Sequence, residues 1–153
     1  MNLKLIADSP YPKFEVYDED KIVMRIKIDP QLQTVRLSRG ENHRVFFIGE
    51  ERLRKRTVIT LLNEYSQPLG TLIKDKSSNT GIVEVEDIKF KYSIVARAGK
   101  EISLFEADNL FPVLNCKIEN EALSSTLNNI NYLLFSLSWY TFLTKKKEDF
   151  QFA

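Results

Sequence analysis

The chain has 153 residues, of which 43% are hydrophobic and 28% are charged, and these proportions are typical of one folded domain with one core. They exclude a disordered chain, a low-complexity chain and a disulfide scaffold. The 22 Lys and Arg residues balance 21 Asp and Glu residues to a formal charge of +1. Because no overall positive field attracts a polyanion, binding to a nucleic acid is not expected.

Two features of the sequence bear on its location. Residues 1–12 are predicted to be an N-terminal lead-in, and they lack the apolar core of a signal peptide. Cys116 is the only cysteine, so no disulfide can form within the chain, and its apolar surroundings predict a buried structural thiol. We therefore expect a cytoplasmic protein, with a peripheral position at a membrane as the alternative.

From residue 13 to residue 119 the chain repeats short segments of alternating apolar and polar residues, separated by polar turns. In the run 22–28, the even-numbered Ile and Met residues share one face, whereas Arg25 and Lys27 point to the other. The run 88–94 repeats this pattern around Lys89 and Lys91. About ten such strands joined by tight turns predict an antiparallel sheet that closes into a barrel or splits into a sandwich.

Residues 121–144 are predicted to form a helix that is buried on nearly every side. The stretch 122–144 contains no charged residue and is followed by a basic tail, 145–153, which begins with Lys145, Lys146 and Lys147. A helix of this length could cross a bilayer, but nine Ser, Thr and Asn residues between 122 and 143 count against a membrane span. A buried helix is therefore favoured.

Both halves of the sequence fit one architecture. It is a mainly β single domain, residues 1–153, in which a closed antiparallel β-barrel of about ten to twelve strands holds the hydrophobic C-terminal helix through its centre. In this arrangement Leu127, Leu134 and Leu137 are expected to fill the lumen.

The hairpin from Leu62 to Ile73 and the final helix from Leu123 to Leu143 carry a resemblance to a known family. This layout of short strands ending in a hydrophobic helix resembles the tubby C-terminal-like group, which includes the LURP-one-related proteins and the phospholipid scramblases. The resemblance implies a barrel threaded by its last helix. It also implies several unrelated roles, including phosphoinositide binding in the tubby proteins, and no functional residue of the group is matched position by position.

The densest positive charge lies in the middle of the chain. The candidate anion-binding residues are Arg44, Arg52, Arg54, Lys55 and Arg56. Such a cluster could hold a phosphate group or an anionic membrane surface. A solvated loop or edge strand is the favoured interpretation of the same residues, because Lys and Arg discourage edge pairing.

Catalytic, metal and cofactor sites are not predicted. His43 is the only histidine, so a Cys/His zinc site is excluded in practice, and no glycine-rich phosphate loop occurs. Glu84 and Glu86 fit either a carboxylate pair on one strand face or the wet face of a strand. The run 18–20 is predicted to be a hairpin tip.

The sequence thus favours a non-enzymatic binding or structural module. The expected partner is an anionic phospholipid or another protein. Two alternatives remain, which are a carrier of a small apolar ligand in a barrel cavity and a protein anchored in a membrane by its C-terminal helix.

Overall fold

The computed structural model describes residues 1–52, 54, 56–74, 79–95, 100–106 and 109–152, with Arg52 and residues 147–152 described by their backbone alone. Within these residues the chain forms eleven strands followed by two helices. The strands are β1 (Asn2–Ala7), β2 (Lys13–Asp18), β3 (Lys21–Asp29), β4 (Thr34–Arg39), β5 (Asn42–Arg52), β6 (Thr57–Leu62), β7 (Pro68–Lys74), β8 (Thr80–Val85), β9 (Ile88–Val95), β10 (Glu101–Glu106) and β11 (Leu114–Ile118). A 3₁₀ turn (Asn120–Ala122) leads into α1 (Leu123–Asn128) and α2 (Ile130–Phe152).

The eleven described strands form a closed barrel in which each strand pairs antiparallel with its neighbour in sequence. The barrel is closed by β1 and β11, which run parallel and pair Asn2 with Lys117 and Leu3 with Ile118. An up-and-down chain with an odd number of strands begins and ends in the same direction, so this last pair has to be parallel. The predicted mainly β barrel is confirmed, but residues 1–12 are more than a lead-in, because they contain the strand that closes it.

The strand faces follow the alternation of the sequence. In β3, Met24, Ile26 and Ile28 are buried, whereas Arg25 is exposed. Ile22 was expected on the buried face, yet it is 40% exposed. The cause is a register shift in the β2–β3 pair, where Val23 is an extra residue that turns the side chains before it to the opposite face.

Helix α2 lies in the lumen of the barrel. Every residue from Leu133 to Phe142 is buried, and a helix that is hidden in every direction must be enclosed by the sheet. The helix contacts β3, β4 and β8, and four strands on one side and five on the other separate β3 from β8 in the ring. It therefore touches opposite walls. Leu134 and Leu137 are 0% exposed, as expected for lumen residues.

The helical segment differs from its prediction in two ways. It is broken at Asn129, whose side-chain amide donates to the Ser125 carbonyl oxygen at 2.8 Å, so α1 and α2 are separate helices. Leu127 lies on α1 and is 47% exposed, so the expectation that it fills the lumen is wrong. The segment predicted as a tail is also helical as far as residue 152.

Hydroxyl groups within α2 are paired inside the helix itself. Ser136 Oγ donates to the Tyr132 carbonyl oxygen at 2.6 Å, and Ser138 Oγ does the same to Leu134 at 2.6 Å. These bonds satisfy buried polar groups without partners on the barrel wall. Among the helices that the structure describes, none is both long enough and apolar enough to cross a lipid bilayer.

Candidate anion-binding site

The structure distributes the predicted basic cluster over two ends of one strand. Arg44 lies near the start of β5, whereas Arg52 is its last residue. Eight residues of extended chain separate them by about 26 Å. Arg54 and Arg56 are exposed in the connection between β5 and β6, and Lys55 lies outside the described residues. The structure thus places Arg54 and Arg56 together and separates Arg44 from them.

A different set of cations is brought together on the outer wall of the barrel. The register pairs Lys13 of β2 with Lys27 of β3, and Lys27 with Arg36 of β4. The three residues therefore form one row across three neighbouring strands, which we call the basic row. Because adjacent strands lie about 4.8 Å apart, the two ends of the basic row are separated by about 10 Å. Like charges in directly opposite positions destabilise a sheet unless something neutralises them.

Two carboxylates, Glu15 and Asp29, line the same surface depressions as the basic row and already have other partners. Glu15 accepts a hydrogen bond from Arg25 Nε at 3.1 Å and another from the Tyr17 hydroxyl at 3.1 Å. Asp29 Oδ1 accepts the backbone N–H groups of Gln31 and Leu32 at 3.1 and 3.2 Å, which fixes the β3–β4 turn.

Across the described residues, neither Lys13, Lys27 nor Arg36 forms an ion pair. Lys27 does have an aromatic neighbour, since its Nζ lies 5.3 Å from the ring centroid of Tyr11. A cation over a ring face is held in place without losing its charge. The basic row therefore keeps three positive charges without a counter-ion.

The basic row lines two adjoining depressions on the barrel surface. The larger groove, of about 520 Å³, includes all three cations together with Ile6. A smaller pocket of about 180 Å³ lies between Lys27, Arg36 and Leu32. Ile6 is 49% exposed and Leu32 is 67% exposed. The cations are thus flanked by apolar side chains that remain open to solvent.

Sequence reasoning missed the basic row because its members are separated along the chain. The alternation places Lys27 on the outer face of β3, but only the strand register places it beside Lys13 and Arg36. The sequence signal that could have found the basic row is that each of its three cations has apolar neighbours before and after it in the chain.

The structure shows the surroundings of Cys116 and His43. Cys116 is 0% exposed on β11, and burial raises the pKa of its thiol to about 12. His43 Nδ1 lies 3.0 Å from Ser38 Oγ on the neighbouring strand. In the part of the chain that the structure describes, no group of three or more His, Cys, Asp and Glu side chains is arranged to hold a metal ion.

The acidic residues take ordinary sheet and turn positions. Glu84 lies on β8 opposite Lys89 of β9. Glu86 lies beyond the end of β8, in the turn to β9 with a φ of 55°, so the two carboxylates do not share a strand face as expected. Glu19 occupies the turn between β2 and β3 with a φ of 56°, which places the run 18–20 at a hairpin tip.

Comparisons of this chain with family models, with curated proteins and with solved structures give no match. The resemblance to the tubby-like group therefore stays a prediction.

Proposed function

We propose that this protein is a non-catalytic module that binds anionic phospholipid headgroups with the outer wall of its barrel. The observation that carries the proposal is the basic row, in which Lys13, Lys27 and Arg36 stand side by side without a neutralising carboxylate. A row of like charges costs stability in the free protein, and a bound phosphate would remove that cost.

The dimensions of the site suit a membrane surface. Three cations within about 10 Å can contact several phosphate groups of one headgroup or of neighbouring lipids. Each basic side chain close to an anionic surface contributes about 1 kcal/mol. Ile6 and Leu32 lie beside the cations, and an apolar contact combined with a basic patch is the pair of signals that membrane binding commonly needs.

The lumen does not favour the carrier alternative. Leu134, Phe135 and Leu137 of α2 are at most 1% exposed, and they occupy the space in which a carrier would hold an apolar ligand. The outer wall, by contrast, presents open grooves with unneutralised charge. The binding surface is accordingly proposed outside the barrel.

Vesicle co-sedimentation tests the proposal. Vesicles of phosphatidylcholine alone are compared with vesicles that also contain phosphatidylserine or a phosphoinositide. We expect binding to both anionic compositions and none to phosphatidylcholine. The variant Lys13→Gln, Lys27→Gln, Arg36→Gln is expected to bind about a hundredfold more weakly, because three contacts of about 1 kcal/mol each are lost.

A matched control removes the same number of charges elsewhere. Lys89, Lys91 and Lys117 are exposed on β9 and β11, so their replacement by Gln is expected to preserve most of the binding. A third variant, Arg54→Gln with Arg56→Gln, tests the cluster that the sequence suggested. The proposal fails if this third variant loses binding while the basic-row variant keeps it, or if phosphatidylcholine vesicles bind equally well. Circular dichroism confirms that each variant is folded.

A further inference from the structure

A third depression lies at the mouth of the barrel, beside the middle of α2. This cleft has a volume of about 760 Å³. Trp139, Tyr140 and Leu143 line it from the helix, and Arg39 and Arg44 line it from β4 and β5. None of the three residues of the basic row is among its lining residues.

Both arginines of the cleft lie over aromatic rings. The Cζ atom of Arg44 is 5.4 Å from the ring centroid of Trp139 and 5.2 Å from that of Phe46. The Cζ atom of Arg39 is 5.0 Å from the ring centroid of Tyr140. All three rings are buried, since none is more than 9% exposed. The rings therefore form a rigid aromatic support under two positive charges.

The sheet register holds the two arginines as neighbours. Leu37 pairs with Arg44, and Arg39 pairs with Asn42, so Arg39 and Arg44 are diagonal neighbours on β4 and β5. Their Cα atoms are therefore about 7–8 Å apart. They follow the same alternation as the buried Leu37, which directs them toward the lumen side at the barrel mouth.

The N–H donors of both guanidinium groups remain available. Within the described residues, Arg39 and Arg44 make neither a hydrogen bond nor an ion pair with another side chain. A guanidinium group that lies against a ring still presents its donors in its own plane, where they match the two oxygens of a carboxylate. Glu41 also lines the cleft, which leaves two cations against one carboxylate.

We infer that this cleft binds a small organic anion with one carboxylate and a planar apolar body. The carboxylate lies between Arg39 and Arg44, and the apolar body packs against Leu143, the partly exposed residue that α2 contributes to the cleft. The inference does not use the basic row, although Arg44 also lines the groove in which the basic row lies.

Trp139 makes the inference directly measurable, because it is the only tryptophan in the chain. In the folded protein its fluorescence reports on the surroundings of this one ring, which lines the cleft. Titration with trans-cinnamate, an aromatic carboxylate, is expected to change the Trp139 emission in a saturable way. The uncharged analogue trans-cinnamamide is expected to bind at least about tenfold more weakly, because it cannot form charge-assisted hydrogen bonds with the arginines.

Variants assign the effect to the two arginines. Arg39→Gln and Arg44→Gln are each expected to weaken cinnamate binding by about tenfold, and isothermal titration calorimetry measures this without depending on the emission of Trp139. The basic-row variant serves as the matched control and is expected to bind cinnamate like the unmodified protein. The inference is overturned if cinnamate gives no saturable change, if cinnamamide binds equally well, or if the folded double variant Arg39→Gln, Arg44→Gln keeps full affinity.

Discussion

At the scale of single residues, burial keeps the thiol of Cys116 protonated and therefore unreactive. Its thiol is 0% exposed, and desolvation raises its pKa from the ordinary 9.0 to about 12, with a small opposing effect of the N-terminal ammonium group. Below pH 9 the thiol keeps its proton in both the folded and the unfolded protein. Above pH 9 the unfolded chain releases the proton while the folded protein retains it, so stability decreases until the pH reaches about 12.

This shift gives a pH-dependent prediction. Between pH 8 and pH 10, the free energy of unfolding of the unmodified protein should decrease by about 1.4 kcal/mol more than that of Cys116→Ala, which has no thiol to titrate. Urea unfolding at the two pH values measures the difference. Other titrating groups contribute equally to both proteins and cancel. Equal pH dependence of the two proteins would contradict a buried thiol of raised pKa.

At the scale of the strand, the basic row predicts a conflict between stability and binding. Lys13 stands opposite Lys27, so Lys13→Glu replaces a repulsion between like charges with an attraction. The variant should be more stable than the unmodified protein by about 0.5 kcal/mol and should bind anionic vesicles more weakly. Urea unfolding at low and high salt checks the first part, because a surface electrostatic gain becomes smaller at high ionic strength.

The control for this prediction is Lys91→Glu on the opposite part of the barrel wall. Lys91 pairs with Ile82 and Phe105, so the same change of charge meets no cation on the neighbouring strands. It should therefore give a clearly smaller gain in stability than Lys13→Glu, because a surface substitution without a specific partner changes stability little. If Lys91→Glu stabilises the protein as much as Lys13→Glu, the gain reflects net charge alone and the cross-strand repulsion is absent.

The basic row shows which features of the sheet the residue pattern cannot predict. Alternation of apolar and polar residues predicted the buried face of β3 and the exposed position of Arg25. It could not predict the extra residue Val23, which moves Lys13 from a position opposite Ile26 to one opposite Lys27. A bulge depends on local backbone geometry that the residue pattern does not record. Sites assembled across strands are therefore hidden even when every strand is predicted correctly.

For the helical segment, the sequence predicted burial but not the break between the two helices. The absence of charge between 122 and 144 predicted burial on nearly every side, which the structure shows for the middle of α2. The break at Asn129 was not predicted, because a buried amide that bonds to the backbone looks in the sequence like any other polar residue. The strand character of residues 2–7 was also missed, since pairing with β11 at the far end of the chain supplies half of its hydrogen-bonded neighbours.

At the scale of the whole molecule, α2 takes the place of a conventional core. In most barrels of this size the inward side chains of opposite walls cannot reach one another across the lumen. Here the residues of α2 fill that space and contact β3, β4 and β8 together. The barrel and its helix should therefore unfold as one cooperative unit, because neither can keep its apolar surface buried without the other.

Two leucines of the same predicted helix test this dependence. Leu134 is 0% exposed in the lumen, whereas Leu127 on α1 is 47% exposed. Leu134→Ala should lower the free energy of unfolding by about 2–5 kcal/mol, because it leaves a cavity between the helix and the wall, and Leu127→Ala should lower it by less than about 1 kcal/mol. Urea unfolding followed both by Trp139 fluorescence and by far-ultraviolet circular dichroism measures these values. The two signals should change together in both variants, since Trp139 reports on the contact between α2 and Phe46 of β5, whereas circular dichroism reports on the secondary structure of strands and helices together. Similar losses in the two variants, or a Trp139 signal that changes before the circular dichroism signal, would contradict a barrel that depends on its central helix.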